Sequence, residues 1–547
     1  MRIERPSVMT AKYGTSVKRP VQKTVSIVMA IMLAGKITGV VRDRLQAVYY
    51  GTDTAEGIAF MQASMLPRNF LDIMFASVIS ASFIPVFNMY LEKKGNKAAM
   101  ELAARFISLT LALTGIITLI CVLCATPIYA VFLDGAALSL DTRLLGIRLL
   151  RIMFPLMILS GAAFSLTGIV QSMGQFYIPA AMSLVSNSII IAYFIFFIDC
   201  FGIYGLCAAF LLGWAAQAAI QIPFLVKIKL RFRFGINWRN DGIRQIIVLA
   251  GPVMVASWAA PINLLVNGKA SINLYGGQHG YNAINLANGL FTIIAGVYVL
   301  SVTNVLFPTL SKQAANNDEV GFEKTLRDAL RSLFFWLLPL TFGLMALSRP
   351  LVNFIYRGGL FQEESTAITA TALFYLSVGV VGYGLQIVLS RACYAMQNGQ
   401  APLLSALAAI GLNAALSFLL VRTPLMVGGP ALASALSITV AGVMLLYVVA
   451  KKLPGLWPRQ MTVDTLKMLG ASAVMGAALV FCRNMVLSYT GSRNETVFMR
   501  ILALGLPAAA GVVVYFMGCF ALRVGEAKTI VVTVFQTVRR IRIRTYL

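Results

Sequence analysis

Negative charge and histidine are scarce in this chain. Its 547 residues hold twenty Asp and Glu and one histidine, His279. Charged residues of all kinds make up 12%, about half the roughly 25% usual for soluble domains. No grouping of His, Asp and Glu, and no nucleophile constellation, stands in the sequence as a catalytic or metal centre would need. No phosphate-cradling P-loop occurs, so the chain is not itself an ATP-driven pump. The seven cysteines lie mostly in apolar runs. Cys121 and Cys124 form a CxxC, but with no second pair and a single histidine they read as small buried hydrophobes, not a zinc or redox site. These absences favour transport over chemistry, with no enzyme activity, metal or cofactor expected.

Apolar sequence, by contrast, is abundant. Hydrophobic residues make up 59% and the mean hydropathy is +0.81. A soluble fold cannot hide that much apolar surface, because cores stop growing past roughly 300 residues. The composition therefore describes an all-α polytopic membrane protein and excludes secreted, fibrous and disordered classes. Segments of ~17–25 apolar residues can cross a ~30 Å hydrocarbon core. About fourteen such runs can be read, the first over 25–41, the second over 58–90, the seventh over 244–267 and the last over 498–522.

Forty-five Lys and Arg give a net charge of +25, which in a soluble chain would suggest nucleic acid. Here the cations lie in short segments between apolar runs, the pattern of cytoplasmic loops, so no nucleic-acid partner is expected. Residues 1–24 carry Arg2, Arg5, Lys12, Lys18, Arg19 and Lys23 against Glu4. Basic segments also follow the sixth and twelfth runs, and a basic tail follows the fourteenth. All four fall on one side of a fourteen-span count, so both termini are expected in the cytoplasm.

The chain repeats itself at an offset of 223 residues. Pro85 matches Pro308, Met173 and Pro179 match Met396 and Pro402, and Gly205 and Ala208 match Gly428 and Ala431. The offset spans six runs, an even number, so the two copies share one orientation. Parallel repeats of this kind are a transporter architecture with the substrate between the halves. The expected division is an N-terminal segment 1–24, an N-lobe 25–226, a basic linker 227–243, a C-lobe 244–451, two extra spans within 452–522, and a basic tail 523–547.

Ionisable groups at bilayer depth cost from ~2.5 kcal/mol upward and usually face a wet cavity. Lys36 interrupts the first run, Arg42 and Asp43 close it, and Lys36 and Asp43 are seven apart, on one helical face. Arg68 and Asp72 are spaced i,i+4 in the second run, where they can neutralise each other. Arg151 and Arg391 sit where they can snorkel to an interface. Cations exceed anions in this half, which suits an anionic substrate.

Several segments together resemble one known family. Lys36-Ile37-Thr38-Gly39-Val40-Val41-Arg42-Asp43 is similar to the RxxGxxRD-type end of the first helix in the MurJ (MviN) lipid II flippases, members of the multidrug/oligosaccharidyl-lipid/polysaccharide exporter superfamily. Leu66-Pro67, Phe83-Ile84-Pro85, the Val305–Lys312 stretch, the Pro350–Phe361 stretch and Tyr394-Ala395-Met396-Gln397 match its later motifs in order. The resemblance covers roughly residues 25–525. It implies a V-shaped pair of six-helix lobes around a cationic cavity, plus two C-terminal helices grooved for a polyprenyl tail. The implied substrate is the polyprenyl-diphosphate-linked sugar-peptide lipid of the bacterial cell wall, moved by alternating access across the cytoplasmic membrane. The drive would be an ion gradient or membrane potential, with membrane lipids and cell-wall synthesis proteins as partners.

Carried over by position, Lys36, Gly39, Arg42 and Asp43 would form the substrate site with Arg68. Lys36 stands where the family usually has Arg, keeping the charge without the fork. The family's second-helix arginine falls on Leu71, one turn from Arg68, and its eighth-helix arginine falls near Gly289. Two rivals remain within the superfamily: a flippase for another polyprenyl-linked sugar, such as an O-antigen, capsule or teichoic precursor, and a drug/cation antiporter. The antiporter would typically have twelve spans and acids in its cavity. A membrane-embedded enzyme or assembly scaffold is the rival from another class.

Overall fold

A computed structural model of the chain describes residues 21–52, 54–70, 78–134, 138–228, 235, 240–257, 259–272, 278–421, 423–490 and 496–527. Apolar sequence without water partners must satisfy its backbone internally, and the described residues do so as helices. Ten of these are long and apolar enough to cross a membrane, eleven if one bent pair counts as a single span. Three of the expected fourteen runs, the first, the second and the seventh, are not among them.

Helix α1 (Val21–Tyr50) is the first of these, carrying Lys36, Arg42, Asp43 and Arg44. The helix was expected to close at Arg42–Asp43, but it continues to Tyr50, because Leu45, Tyr49 and Tyr50 pack on the first half of the chain while Ala47 and Val48 meet the second. In the second run, α2 (Ala55–Met65) passes into π-helical turns at Leu66–Phe70 and Ile79–Phe83 before α3 (Ile84–Lys93). Wide turns of this kind are frequent at functional sites. The seventh run is two helices, α11 (Asp241–Ser257) and α12 (Ala259–Ile272).

The remaining helices of the first half are α4 (Gly95–Leu123), α5 (Ala125–Phe132), α6 (Leu140–Met153), α7 (Leu156–Ser172), α8 (Tyr177–Phe196), α9 (Ile198–Ala219) and α10 (Ile222–Lys227). The second half continues with α13 (Gln278–Ala315), α14 (Glu319–Tyr356), α15 (Glu363–Ser377), α16 (Val380–Ala395), α17 (Gln400–Leu420) and α18 (Gly428–Lys452). Helices α19 (Arg459–Thr490) and α20 (Val497–Ala521) follow and pack on each other and on α14.

The 223-residue offset reappears in the boundaries. Gln278 opens α13 as Ala55 opens α2, Glu363 opens α15 as Leu140 opens α6, and Gln400 opens α17 as Tyr177 opens α8. It also reappears in backbone geometry. Gly174 (φ 78°) and Gln397 (φ 58°) both adopt the left-handed conformation that ends a helix. Around them, Gln175 N–H donates to Val170 O at 3.1 Å, and Asn398 N–H donates to Cys393 O at 2.8 Å. Glycine supplies that conformation without strain in the first half, whereas glutamine adopts it in the second.

In each half an asparagine on one span pins another. Asn187 of α8 donates to Gly35 O of α1 at 3.0 Å, and Asn413 of α17 donates to Asn267 Oδ1 of α12 at 3.0 Å. Ser417 and Ser434 complete a buried neutral network around Asn267 and Asn413. Close backbone approach does the rest, as is usual where lipid removes the hydrophobic drive between helices. At Gly382 of α16 a Cβ would stand 2.5 Å from Thr439 Cα of α18.

Two further contacts place the lobes. The N-terminal part of α11 packs on α3, α4 and the 79–83 turn, with Ile243 and Ile246 buried in the first half's own cluster. At the ends of the helices remote from the basic segments, α1 meets α14 and its sequel. Arg44 Nη1 donates to Phe354 O and Ile355 O at 3.2 and 3.1 Å, Leu360 N–H donates to Val48 O at 2.9 Å, and Thr52 and Ser365 hydroxyls lie 2.6 Å apart. At the basic end, Arg331 of α14 bridges Asp464 of α19 at 2.7 Å and Glu526 at 2.8 Å. Cys207, Cys393 and Cys519 are buried, whereas Cys124 and Cys200 are exposed, so only some cysteines fit the buried reading.

Candidate functional site

The site grows from the seam between α1 and α8. Gly35 and Gly39 lie one turn apart on α1 and remove two side chains from the facing surface. A Cβ at Gly35 would meet Ser183 Oγ at 2.5 Å, and one at Gly39 would meet Asn187 Nδ2 at 3.5 Å. This close approach lets Asn187, 5% exposed, reach across. Its amide nitrogen donates to Gly35 O at 3.0 Å and to Thr38 Oγ1 at 3.4 Å, which leaves its oxygen free to accept from Arg42 Nη1 at 2.8 Å.

Arg42 is thereby fixed from two sides. Its Nε and Nη2 donate to Asp43 Oδ1 at 3.0 and 2.7 Å, and its side chain is 16% exposed. A guanidinium so held is oriented and only partly neutralised, because Asp43 itself is 26% exposed. Arg68, from the π-helical turn after α2, joins it: the guanidinium carbons of Arg42 and Arg68 stand 5.8 and 4.9 Å from the centroid of the Phe210 ring on α9. Two cations thus share one buried aromatic ring. Such a pair repels itself and gains from an anion that bridges it.

Of the expected residues, the structure brings together Arg42, Asp43 and Arg68, with Gly39 as the spacer that admits Asn187. Lys36 is exposed on the Asp43 face of α1 and makes no ion pair or hydrogen bond among the described residues. Leu71 and Asp72 lie outside the described residues. Gly289, on α13, faces open space: a Cβ there would meet nothing within 4 Å. Arg151 donates to Thr126 Oγ1 at 3.4 Å, and Arg391 lies over Phe307 at 5.6 Å, both exposed. Sequence reading missed Asn187 and Phe210. A lone amide in the apolar run 177–199 was a usable signal for the first; a phenylalanine among many gave none for the second.

Residues 47–499 match the family described as lipid II flippase MurJ. A probable lipid II flippase MurJ from Buchnera aphidicola subsp. Acyrthosiphon pisum is 28% identical over 391 residues, 71% of this chain and 75% of that protein. One from Rhizobium tropici is 25% identical over 503 residues, 90% of this chain and 92% of that protein. Among solved structures, lipid II flippase MurJ in an inward closed conformation superimposes with a TM-score of 0.74 at 23% identity, covering 91% of this chain and 99% of that one. That likeness extends the shared fold across nearly the whole chain.

Proposed function

This chain belongs to the lipid II flippase MurJ family, and we propose that Arg42 and Arg68 hold the lipid's diphosphate while two lobes rock about it. The protein is a flippase and not an enzyme, a multi-pass protein of the bacterial inner membrane that handles lipid II. The observation supporting this site is the pair of guanidinium groups over Phe210, one of them oriented by Asp43 and Asn187. Arginine forks match phosphate oxygens bidentately, and their charge rewards diphosphate over a neutral sugar. Asp43 orients Arg42, Gly39 keeps α8 close enough for Asn187 to do the same, and exposed Lys36 meets further anionic groups of the head.

Residues 25–226 and 244–451 act as the two lobes, with 452–522 following α14 and offering the polyprenyl tail its groove. The basic segments lie in the cytoplasm with both termini, in keeping with the excess of Lys and Arg there. The contacts of Arg44, Val48 and Thr52 with α14 and α15 then close the outer face and part when the site opens outward. Enzymes that build or polymerise the lipid-linked precursor are its protein partners. Depleting the protein tests the substrate: lipid II should accumulate in the cytoplasmic leaflet, and accumulation of a different polyprenyl-linked sugar with lipid II unchanged would overturn the reading.

A further inference from the structure

A cavity of about 370 Å³ opens where α11 begins against the end of α3, apart from the seam that holds Arg42. Tyr90, Lys93 and Lys94 line it from one side, Asp241, Arg244 and Gln245 from the other. Gly242 lets the two walls approach: a Cβ there would lie 2.8 Å from Leu102 Cδ1 and from the Tyr90 ring. Tyr90 is held between them, 5% exposed, and Lys94 Nζ stands 4.2 Å from the centroid of its ring.

The lining is cationic and its charges are unspent. Lys93, Lys94 and Arg244 face one acid, Asp241, so three positive charges less one negative leave two. The side chains of Lys93, Arg244 and Asp241 make no ion pair or hydrogen bond among the described residues, and Lys94 makes only its ring contact. The start of α11 adds the positive end of its dipole. Its first amides are already taken, because Asn240 Oδ1 accepts from Gly242 N–H at 3.0 Å and from Ile243 N–H at 3.3 Å. Side chains therefore carry the site. The positive-inside bias accounts for cations on this face of the protein, but not for cations from two packed helices enclosing one space. Like charges so placed repel, and an anion between them removes the repulsion.

We propose that this cavity binds a phosphate group, carried by the headgroup of an anionic phospholipid or by a soluble phosphate ester. Two ammonium groups and one guanidinium fork supply charged donors to phosphate oxygens, and the Gln245 amide adds a neutral one. Basic pockets between helices at the cytoplasmic surface suit such headgroups. Only the choice of leaflet rests on the proposed orientation; the site itself does not depend on the flippase reading. A phosphate held there joins α3 of the first lobe to α11. It fastens the opening helix of the second half to the first lobe, while α12 is tied to the second lobe through Asn267.

The test uses full-length protein in neutral detergent and two probes. Phosphatidylglycerol is counted by native mass spectrometry, and inorganic pyrophosphate is titrated by calorimetry. The double variant Lys93→Gln/Arg244→Gln should bind at least one probe about tenfold more weakly than wild type, and Lys93→Arg/Arg244→Lys should keep most of the affinity. Loss confined to phosphatidylglycerol assigns the site to a lipid headgroup, and loss of pyrophosphate binding assigns it to soluble phosphates as well. Lys451→Gln/Lys452→Gln is the control: it removes two exposed charges from another basic segment, outside the cavity, and should bind both probes as wild type does. Arg42→Gln should also leave this binding in place, which separates failure of this inference from failure of the central site. Unchanged binding by Lys93→Gln/Arg244→Gln, or an equal loss in the control, would overturn the proposal. If the double variant does not fold, Arg244→Gln alone is measured and read by the same criteria.

Discussion

Arg42→Gln is expected to reduce lipid II translocation by purified protein in liposomes at least about a hundredfold, at normal membrane levels. The substitution removes a charged donor set that binds Asp43 twice and Asn187 once. Hydrogen bonds to charged groups contribute about 1.5–3 kcal/mol each, and about 1.4 kcal/mol is a factor of ten. Losing two such bonds to a diphosphate therefore costs two orders of magnitude or more. Arg42→Lys separates charge from shape. It keeps the cation but cannot span Asp43 and Asn187 together, so an intermediate loss of about tenfold is expected. Wild-type rates for both variants would remove Arg42 from the site.

Gly382→Ala is expected to be the most damaging single methyl group at the contact between α16 and α18. The added Cβ would lie 2.5 Å from Thr439 Cα, a backbone-attached atom that cannot rotate away, and Gly442 backs the same contact with a Cβ position 2.9 Å from Gly382 O. Overpacking costs typically 1–3 kcal/mol and more where backbones must separate. Helices α16 and α18 would be pushed apart, with a lower melting temperature in detergent and less protein in the membrane. Gly411→Ala on α17, where a Cβ meets nothing within 4 Å, serves as the control and should stay within about 0.5 kcal/mol of wild type. Equal melting of the two variants would refute the close-contact reading.

The sequence exposed some of this architecture plainly. Lys36, Arg42 and Asp43 were conspicuous because charge inside an apolar run is costly and rare. The duplication was visible because proline, glycine and helix-end residues kept their 223-residue spacing, which the matched turns at Gly174 and Gln397 repeat in space. What stayed hidden depends on contacts between distant residues. Asn187 is 145 positions from Arg42, and no local pattern marks which polar amide will face which guanidinium. The π-helical turns around Leu66–Phe70 leave no compositional trace, since their residues suit an ordinary helix equally well. Nor does the apolar face of α11 say which lobe it will cover; it lies on the first half, at the place where the linker ends.

The claim beneath the whole mechanism is that the exposed face of α1 near Lys36 borders water and not acyl chains. Labelling tests it directly, in a variant with all seven native cysteines replaced and Lys36→Cys introduced. A membrane-impermeant maleimide should modify that cysteine in oriented vesicles, and excess lipid II should slow the reaction. Ile37→Cys provides the contrast: Ile37 is 57% exposed and points away from the Gly35–Gly39 seam, so it should react only with a lipid-soluble reagent. If the Lys36→Cys variant behaves like the Ile37→Cys variant, untouched by the impermeant reagent from either side, the cationic crevice does not exist where it is placed here.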